Sequence, residues 1–382
     1  AELQSLLSLS DANTDLIKRT EIETALENII PIQENISKVS DGDILISDMY
    51  LQEQYIRALL SRAGLNKEVG LIVTNHGKHH GYIWPGILSR FSIKTHTGDN
   101  THADIFQASQ AGIATALTNS HQITPLETIF FHITFPAFGE LCREARLSTW
   151  SNVRHERSLQ INQINFNFPM LFFSSIILYR LAKKLGKKHI LFSSRDCHLW
   201  IKLFEAMFPG EFVCSYYYTS RYAKVFGQED YIAYTKTLLR DDAIIVDLCG
   251  SGWSLEKLCE NLGIKSLDAF FIHKLPKDRA HMGMETHGLC NFHSILEEGI
   301  DTYKSYFLEI ANFTDHGMVK DVKMVNSVAC PVFFEDKRPE TELRYVATQK
   351  QAFDACLANM QHYELHAVLQ ADLAICTQLV TI

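Results

Sequence analysis

GDNTHADIFQASQAGI, Gly98–Ile113, decides how the N-terminal third of the chain is read. It follows Ile93–Thr97, a run of strand type, and contains Ile105–Ala111, which reads as a helix. A strand that passes to a helix through Gly98-Asp99-Asn100 carries two carboxylates, Asp99 and Asp104, to its end. In parallel α/β sheets the chemistry gathers at the carboxyl ends of the strands. Upstream, Asp43–Ser47 (DILIS) and Gly70–Thr74 (GLIVT) are two more short apolar runs of strand type. Between them, Leu51, Tyr55, Ala58, Leu59 and Ala63 recur at helical spacing over Leu51–Ala63. Glu21–Ile29 and Tyr82–Leu88 also read as helices. Strands alternating with helices predict a parallel sheet.

The three strand ends carry compatible chemistry. DILI is followed by Ser47-Asp48-Met49-Tyr50-Leu51, and GLIV by Thr74-Asn75-His76-Gly77-Lys78. Together they supply a hydroxyl, an ammonium and carboxylates. Hydroxyl and ammonium groups hold phosphate oxygens, and carboxylates hold the magnesium that offsets their charge. These pieces resemble motifs II, III and IV of the haloacid dehalogenase (HAD) superfamily, in a branch with SDMYL after one strand and GDN…D after a later one. Lys78 lies 31 residues after Ser47, and Asp99 21 after Lys78. The resemblance implies a HAD-like domain over residues 1–150 with N-terminal cap helices, hydrolysing phosphomonoesters with Mg²⁺. It implies Ser47 and Lys78 as phosphate-holding catalytic residues and Asp99 and Asp104 as metal ligands. The family's nucleophile is an aspartate in a DxDxT-like motif on the sheet's central strand, and nothing from Ala1 to Ser40 has that pattern. The domain is then incomplete or non-catalytic, or DILISDMYL itself is that motif. In the last case Asp48 is the nucleophile, Thr74 takes the motif II place and Tyr50 replaces the acid/base aspartate.

A second α/β unit is expected over residues 151–325. HILF at His189–Phe192, VCSYYY at Val213–Tyr218, AIIV at Ala243–Val246 and DAFFI at Asp268–Ile272 read as strands, and Leu255, Leu258, Cys259 and Leu262 mark a helix face. AIIVDLCGSGWSLEKLCENLG is a strand, a glycine-bearing turn and a helix. Gly250, Ser251 and Gly252 would turn backbone N–H groups into one concavity, and the following helix adds its positive end. Ser254 adds a hydroxyl. Arg195 and Asp196 follow HILFSS, and Ser220 and Arg221 follow YYYT, so two guanidinium groups are available for bidentate oxyanion contacts. The turn resembles the 5-phosphate loop of type I phosphoribosyltransferases. Asp247 falls on that loop's second acid, Ser251 and Gly252 on its Thr-Gly, and Ser254 on its last Thr. Val246 replaces the first acid and Trp253 a glycine. The resemblance implies a phosphoribosyltransferase-like fold that binds a sugar phosphate or nucleotide, or that transfers a phosphoribosyl group, with the first domain as scaffold. The order of the two domains is also similar to a bacterial family associated with surface-polysaccharide clusters.

Residues 326–382 read as a helical extension, mostly helix over Glu340–Ala371. The expected fold is therefore α/β, with two Rossmann-like parallel-sheet domains and that extension. The apolar ending AICTQLVTI predicts that the natural chain continues past Ile382. A net charge of −8 argues against broad nucleic-acid binding. Nine scattered cysteines without a CxxC pair read as free thiols in a reducing compartment. With no visible secretory leader, this predicts a cytoplasmic protein. Phe166–Ala182 is interrupted by Asn167, Pro169, Ser174 and Ser175 and reads as a buried helix rather than a membrane span. His281, His287, Cys290 and His293 form a weak candidate zinc cluster in a loop.

Overall fold

The computed structural model describes residues 11–75, 77–132, 135–275, 288–296, 302–326 and 328–381. The architecture is mixed α/β with parallel sheets. It divides into two units: residues up to Thr124 with Leu147–Trp150, and Pro125–Arg146 with everything from Ser151 onward. Pro125–Arg146 therefore belongs with the second unit and not with residues 1–150. No separate extension starts at 326, because an antiparallel hairpin of Val319–Val325 with Val328–Phe333 crosses that boundary.

The first unit runs α1 (Asp11–Glu27), β1 (Ile44–Ser47), α2 (Glu53–Arg62), β2 (Gly70–Val73), α3 (Ile83–Leu88), β3 (Thr95–Gly98) and β4 (Ala114–Leu117). β1 pairs in parallel with β2, and β3 with β4, as two separate two-stranded sheets. β4 has a threonine-alanine sequence too weak in hydrophobicity to be read as a strand. The inner face of α2 turns on Ile56, which is buried, while Ala58 is exposed. The unit's core is small: Trp84, Ile87, Ala108 and Ile113, with Ile46, Ile72 and Ile93 packed around them. Ile105–Ala111 is a helix only in its second half. Thr101–Phe106 is a π-helical turn, capped by the Asn100 side chain, which accepts from His102 N–H (3.0 Å) and Ala103 N–H (2.8 Å).

The second unit is built on α4 (Arg154–Asn162), α5 (Phe168–Lys184), β5 (His189–Ser193), α6 (His198–Met207), β6 (Val213–Tyr217), α7 (Arg221–Phe226), α8 (Glu229–Leu238), β7 (Ala243–Gly250), α9 (Trp253–Leu262), β8 (Leu267–Lys274), β9 (Cys290–Leu296), α10 (Thr302–Ala311), the hairpin β10–β11, α11 (Glu340–Asn359) and α12 (Leu373–Thr381). Its five strands are all parallel, in the order β6-β5-β7-β8-β9. This doubly wound order reverses beside β5, and ligands in such sheets bind at the reversal. Both faces are covered. Ile190, Phe192, Ile244 and Val246 share a core with Phe168, Phe172, Trp200 and Phe204. Leu191, Ile245 and Ala269 share the other with Tyr217, Leu255 and Leu258. Uninterrupted apolar strands are what a doubly covered parallel sheet requires.

The apolar helix is longer than its sequence implied, because α4 runs through a π-helical turn at Gln163–Asn167 into α5. By length and composition these 31 residues would suffice to cross a membrane, and 67% of the most apolar window is buried inside the fold. α12 packs along α5, which covers the apolar side of the ending. Within the turn, Asn167 and Asn312 are fully buried and bond reciprocally: each amide Nδ2 donates to the other's Oδ1, at 3.0 and 2.7 Å. Asn167→Leu should strand the Asn312 amide and cost about 2–3 kcal/mol, and Asn167→Leu/Asn312→Leu should recover much of that loss. Urea unfolding followed at α5 amides by hydrogen exchange measures both.

Candidate functional site

In the first unit the strand ends converge on one cavity of about 1350 Å³, lined by Ser47, Asp48, Lys78, Asp99 and Asp104 among others. The expected constellation is thus brought together. Its centre is Asp104, which is buried. Lys78 Nζ lies 2.8 Å and His96 Nε2 2.9 Å from the same Oδ1. The other oxygen, Oδ2, accepts the Asn100 N–H at 2.9 Å. Burial alone would raise the Asp104 pKa, but the bonds from His96, Lys78 and Asn100 N–H hold it well below the usual carboxylate range. Gly98 is required here: a Cβ at that position would collide with the Asp104 carboxyl group. His96, which faces Trp84 edge-on at 4.9 Å, completes this centre. The sequence reading missed it because a lone strand histidine carries no motif.

A metal ion is less well served. Asp104 has both oxygens engaged, so it acts as the anchor for Lys78 and His96 rather than as a free metal ligand. Asp99 is more than half exposed, and its Oδ2 lies 3.8 Å from His121 Nδ1. Asp48 accepts the N–H groups of Lys78 (3.3 Å) and His79 (3.0 Å). Among the described residues no group of three His, Cys, Asp or Glu side chains is arranged to hold a metal. Among the described residues, Asp48, Asp99 and Asp104 are thus not gathered into one ligand set. Tyr50 does not stand free as an acid/base group either, since its hydroxyl bonds to Glu21, which raises its pKa. His76 lies outside the described residues.

In the second unit, the loop after β5 and the end of β7 meet at the reversal of strand order. Asp196 Oδ1 is buried and has no hydrogen-bond partner among the described residues. Burial first, and the neighbouring Asp247 second, push its pKa up to about 7. Asp247 Oδ1 accepts the Leu248 N–H at 3.0 Å, and its Oδ2 lies 3.9 Å from Lys224 Nζ. Lys224 is 5% exposed. Burial lowers its pKa and raises that of Asp247, each shift being opposed by the other group's charge. Cys249 Sγ lies 3.3 Å from Glu309 Oε1. Arg195 stands over the Phe313 ring at 5.3 Å and makes no salt bridge among the described residues. Arg221 is exposed at the start of α7, whose cap Ser220 accepts from Ala223 N–H at 3.0 Å and donates to Val319 C=O at 2.6 Å. Lys224 and Glu309 were missed by the sequence reading. Lys224 had a usable signal, one helical turn beyond Arg221 on a helix opened by a serine cap. Glu309 arrives from a distant helix and had none.

The glycine turn differs from its expected form. Gly250 is still in β7, paired with Lys274, so the turn is shorter than a phosphate cradle of three small residues. Gly252 adopts φ +80 and abuts the Phe292 ring, which a Cβ would strike. Its smallness serves that packing as well as the entry to α9. Ser251 is buried, and Ser254 lies in the first turn of α9. The zinc candidates separate: Cys290 lies on β9 with its Sγ 3.6 Å from Cys259 Sγ, and His293 meets Asp268 at 3.0 Å. They sit three apart on a strand, hence on opposite faces. His281 and His287 lie outside the described residues. No protein-family model matches the chain, and no curated protein matches it significantly.

Two pH effects of opposite sign follow. Asp104 has a depressed folded pKa, so its contribution to stability is present above about pH 4 and is lost as pH falls further. Asp104→Asn should cost about 3 kcal/mol at pH 7, by leaving Lys78 and His96 without their anion, and should blunt the acid loss. Asp196 has a raised folded pKa, so stability falls as pH rises from about 4 towards 7, by up to roughly 4 kcal/mol. Asp196→Asn should remove that fall and be more stable than wild type at pH 8. Hydrogen exchange at β3 amides for the first, and at β5 and β7 amides for the second, from pH 3 to 8, measures both.

Proposed function

We propose that the chain binds a phosphorylated sugar or nucleotide in its second unit, at the carboxyl ends of β5 and β7, with the first unit as a HAD-like frame. One observation carries this reading: buried Lys224 and half-buried Asp196 and Asp247 gather at the reversal of strand order, beside Arg195, which makes no salt bridge among the described residues. A buried lysine facing two carboxyl groups costs desolvation that packing alone does not require. Such groups collect where a ligand is handled. Lys224 offsets the charge of Asp247, which leaves Asp196 to titrate near neutrality. A neutral Asp196 can donate to a phosphate or bridging oxygen, and its carboxylate can take that proton back. Arg195, Arg221 and the N-terminus of α9 supply the anion-binding side. Phosphoribosyl transfer is one reaction such a site supports. Hydrolysis in the first unit is less well supported, because it needs a nucleophile and a metal donor set that the described residues do not assemble.

Isothermal titration with phosphoribosyl pyrophosphate, a nucleoside monophosphate, a hexose 1-phosphate and inorganic phosphate tests this. At least one organic phosphate should bind, and Arg195→Ala should weaken it tenfold or more at an unchanged melting temperature. Absence of binding across the panel, or equal binding by the variant, sinks the proposal. Phosphate release that needs Mg²⁺ and vanishes in Asp99→Asn would return the chemistry to the first unit.

A further inference from the structure

In the second unit, one cysteine of α9 meets one cysteine of β9. Cys259 lies in α9 and Cys290 opens β9, and their Sγ atoms are 3.6 Å apart. Both are free thiols. Cys259 is fully buried and Cys290 is 9% exposed, in the core that also holds Leu255, Leu258 and Leu267.

Two further contacts join the same elements. Glu256 Oε2 accepts the Gly288 N–H at 3.2 Å, and the Phe292 ring abuts Gly252. Residues 288, 290 and 292 therefore touch α9 at three points, and none of these contacts is covalent. β9 ends the strand order of its sheet and pairs with β8.

Buried cysteines commonly pack as small hydrophobes. Three features set this pair apart. A disulfide needs about 2.05 Å between sulfurs, so these two must close by about 1.6 Å, a distance that rotation about their Cα–Cβ bonds can cover. The Cys290 thiol bonds to Cys259 Sγ and holds the Cys259 pKa below that of an ordinary thiol, against the effect of burial. That favours the thiolate, which is the nucleophile. Finally, local opening of a terminal strand costs less than global unfolding and admits an oxidant little larger than water.

We propose that Cys259 and Cys290 form a reversible disulfide site, closed by hydrogen peroxide and reopened by thiols, that fastens α9 to β9. The Cys259 thiolate attacks one peroxide oxygen and the O–O bond breaks. Hydroxide leaves and takes up a proton as water, and Cys259 becomes a sulfenic acid. The Cys290 sulfur then attacks Cys259 Sγ. Its proton leaves with the sulfenic hydroxyl as a second water, and the S–S bond forms. Two thiols lose two electrons and the peroxide gains them. The inference does not depend on ligand binding in the second unit.

The test treats the full chain with hydrogen peroxide, alkylates the remaining thiols in denaturant, and reads the digest by mass spectrometry. Peptides carrying Cys259 and Cys290 should be recovered joined, and dithiothreitol should separate them. The closed link should raise the melting temperature by about 5 °C and slow hydrogen exchange at α9 amides tenfold or more. Cys259→Ser should abolish the link, and oxidation should then leave the melting temperature unchanged. Alkylation of both Cys259 and Cys290 after treatment that oxidises the exposed Cys330 overturns the proposal. So does a link that forms only in urea or that lowers the melting temperature, because the folded chain then does not hold the two sulfurs within bonding reach. A rise in melting temperature that persists in Cys259→Ser overturns the assignment to this pair.

Discussion

β5 is hydrogen-bonded along both edges, to β6 on one side and β7 on the other, and this double pairing organises the second unit. The chain winds one way from β5 to β6 and the other way from β7 through β9. Helices leaving β5 and β7 therefore diverge to opposite faces, and the carboxyl ends of those strands are left with a gap that packing does not close. Asp196 follows β5, and Asp247 follows the apolar run Ala243–Val246 within β7, so both stand at that gap. The apolar alternation of HILF and AIIV across both faces of the sheet is thus what sets two carboxyl groups close together.

Their electrostatics follow from the same burial. Two carboxyl groups share one ammonium, and the nearer, Asp247, takes it at 3.9 Å. Asp196 lacks a paired cation of that kind and stays protonated towards neutral pH. A purely structural arrangement of the same volume would be more stable with apolar side chains. The contrast with Asp104 is informative. Asp104 is buried more deeply, yet a lysine, a histidine and a backbone amide satisfy it, so its role is to hold Lys78 and His96 in place. One carboxyl group is built to stay ionised and the other to change state.

Much of this was legible in the sequence. The apolar runs at Ile44, Gly70, His189, Val213, Ala243 and Leu267 all form strands, because a buried parallel strand writes its burial directly into composition. The grouping of Ser47, Asp48, Lys78, Asp99 and Asp104 was legible because parallel strands deliver their carboxyl ends to one side. Three things were not. β9 carries Asn291, His293 and Ser294, polar enough to read as loop, and earns its place through pairing with β8. Lys224 and Glu309 enter the second site from helices, where sequence distance says nothing of spatial distance. The division of Asp104 from metal binding depends on which oxygen bonds to which neighbour, and no spacing rule carries that.

The two sheets also differ in a way the sequence does not announce. HILFS and AIIV are buried almost throughout, whereas ILIS and GLIV, of similar composition, are only half-buried or exposed. Burying an aliphatic side chain fully contributes about 1.5–3 kcal/mol, so β1 and β2 leave several kcal/mol of hydrophobic stabilisation unrealised. Composition of that kind suits a strand enclosed on both faces, and β5 obtains that from the helices packed on either side of its sheet. Among the described residues β1 pairs with β2 alone, and the core beside it is small. Similar apolar runs are therefore buried in the second unit and half-buried in the first, and the difference lies in what covers the sheet faces rather than in propensity.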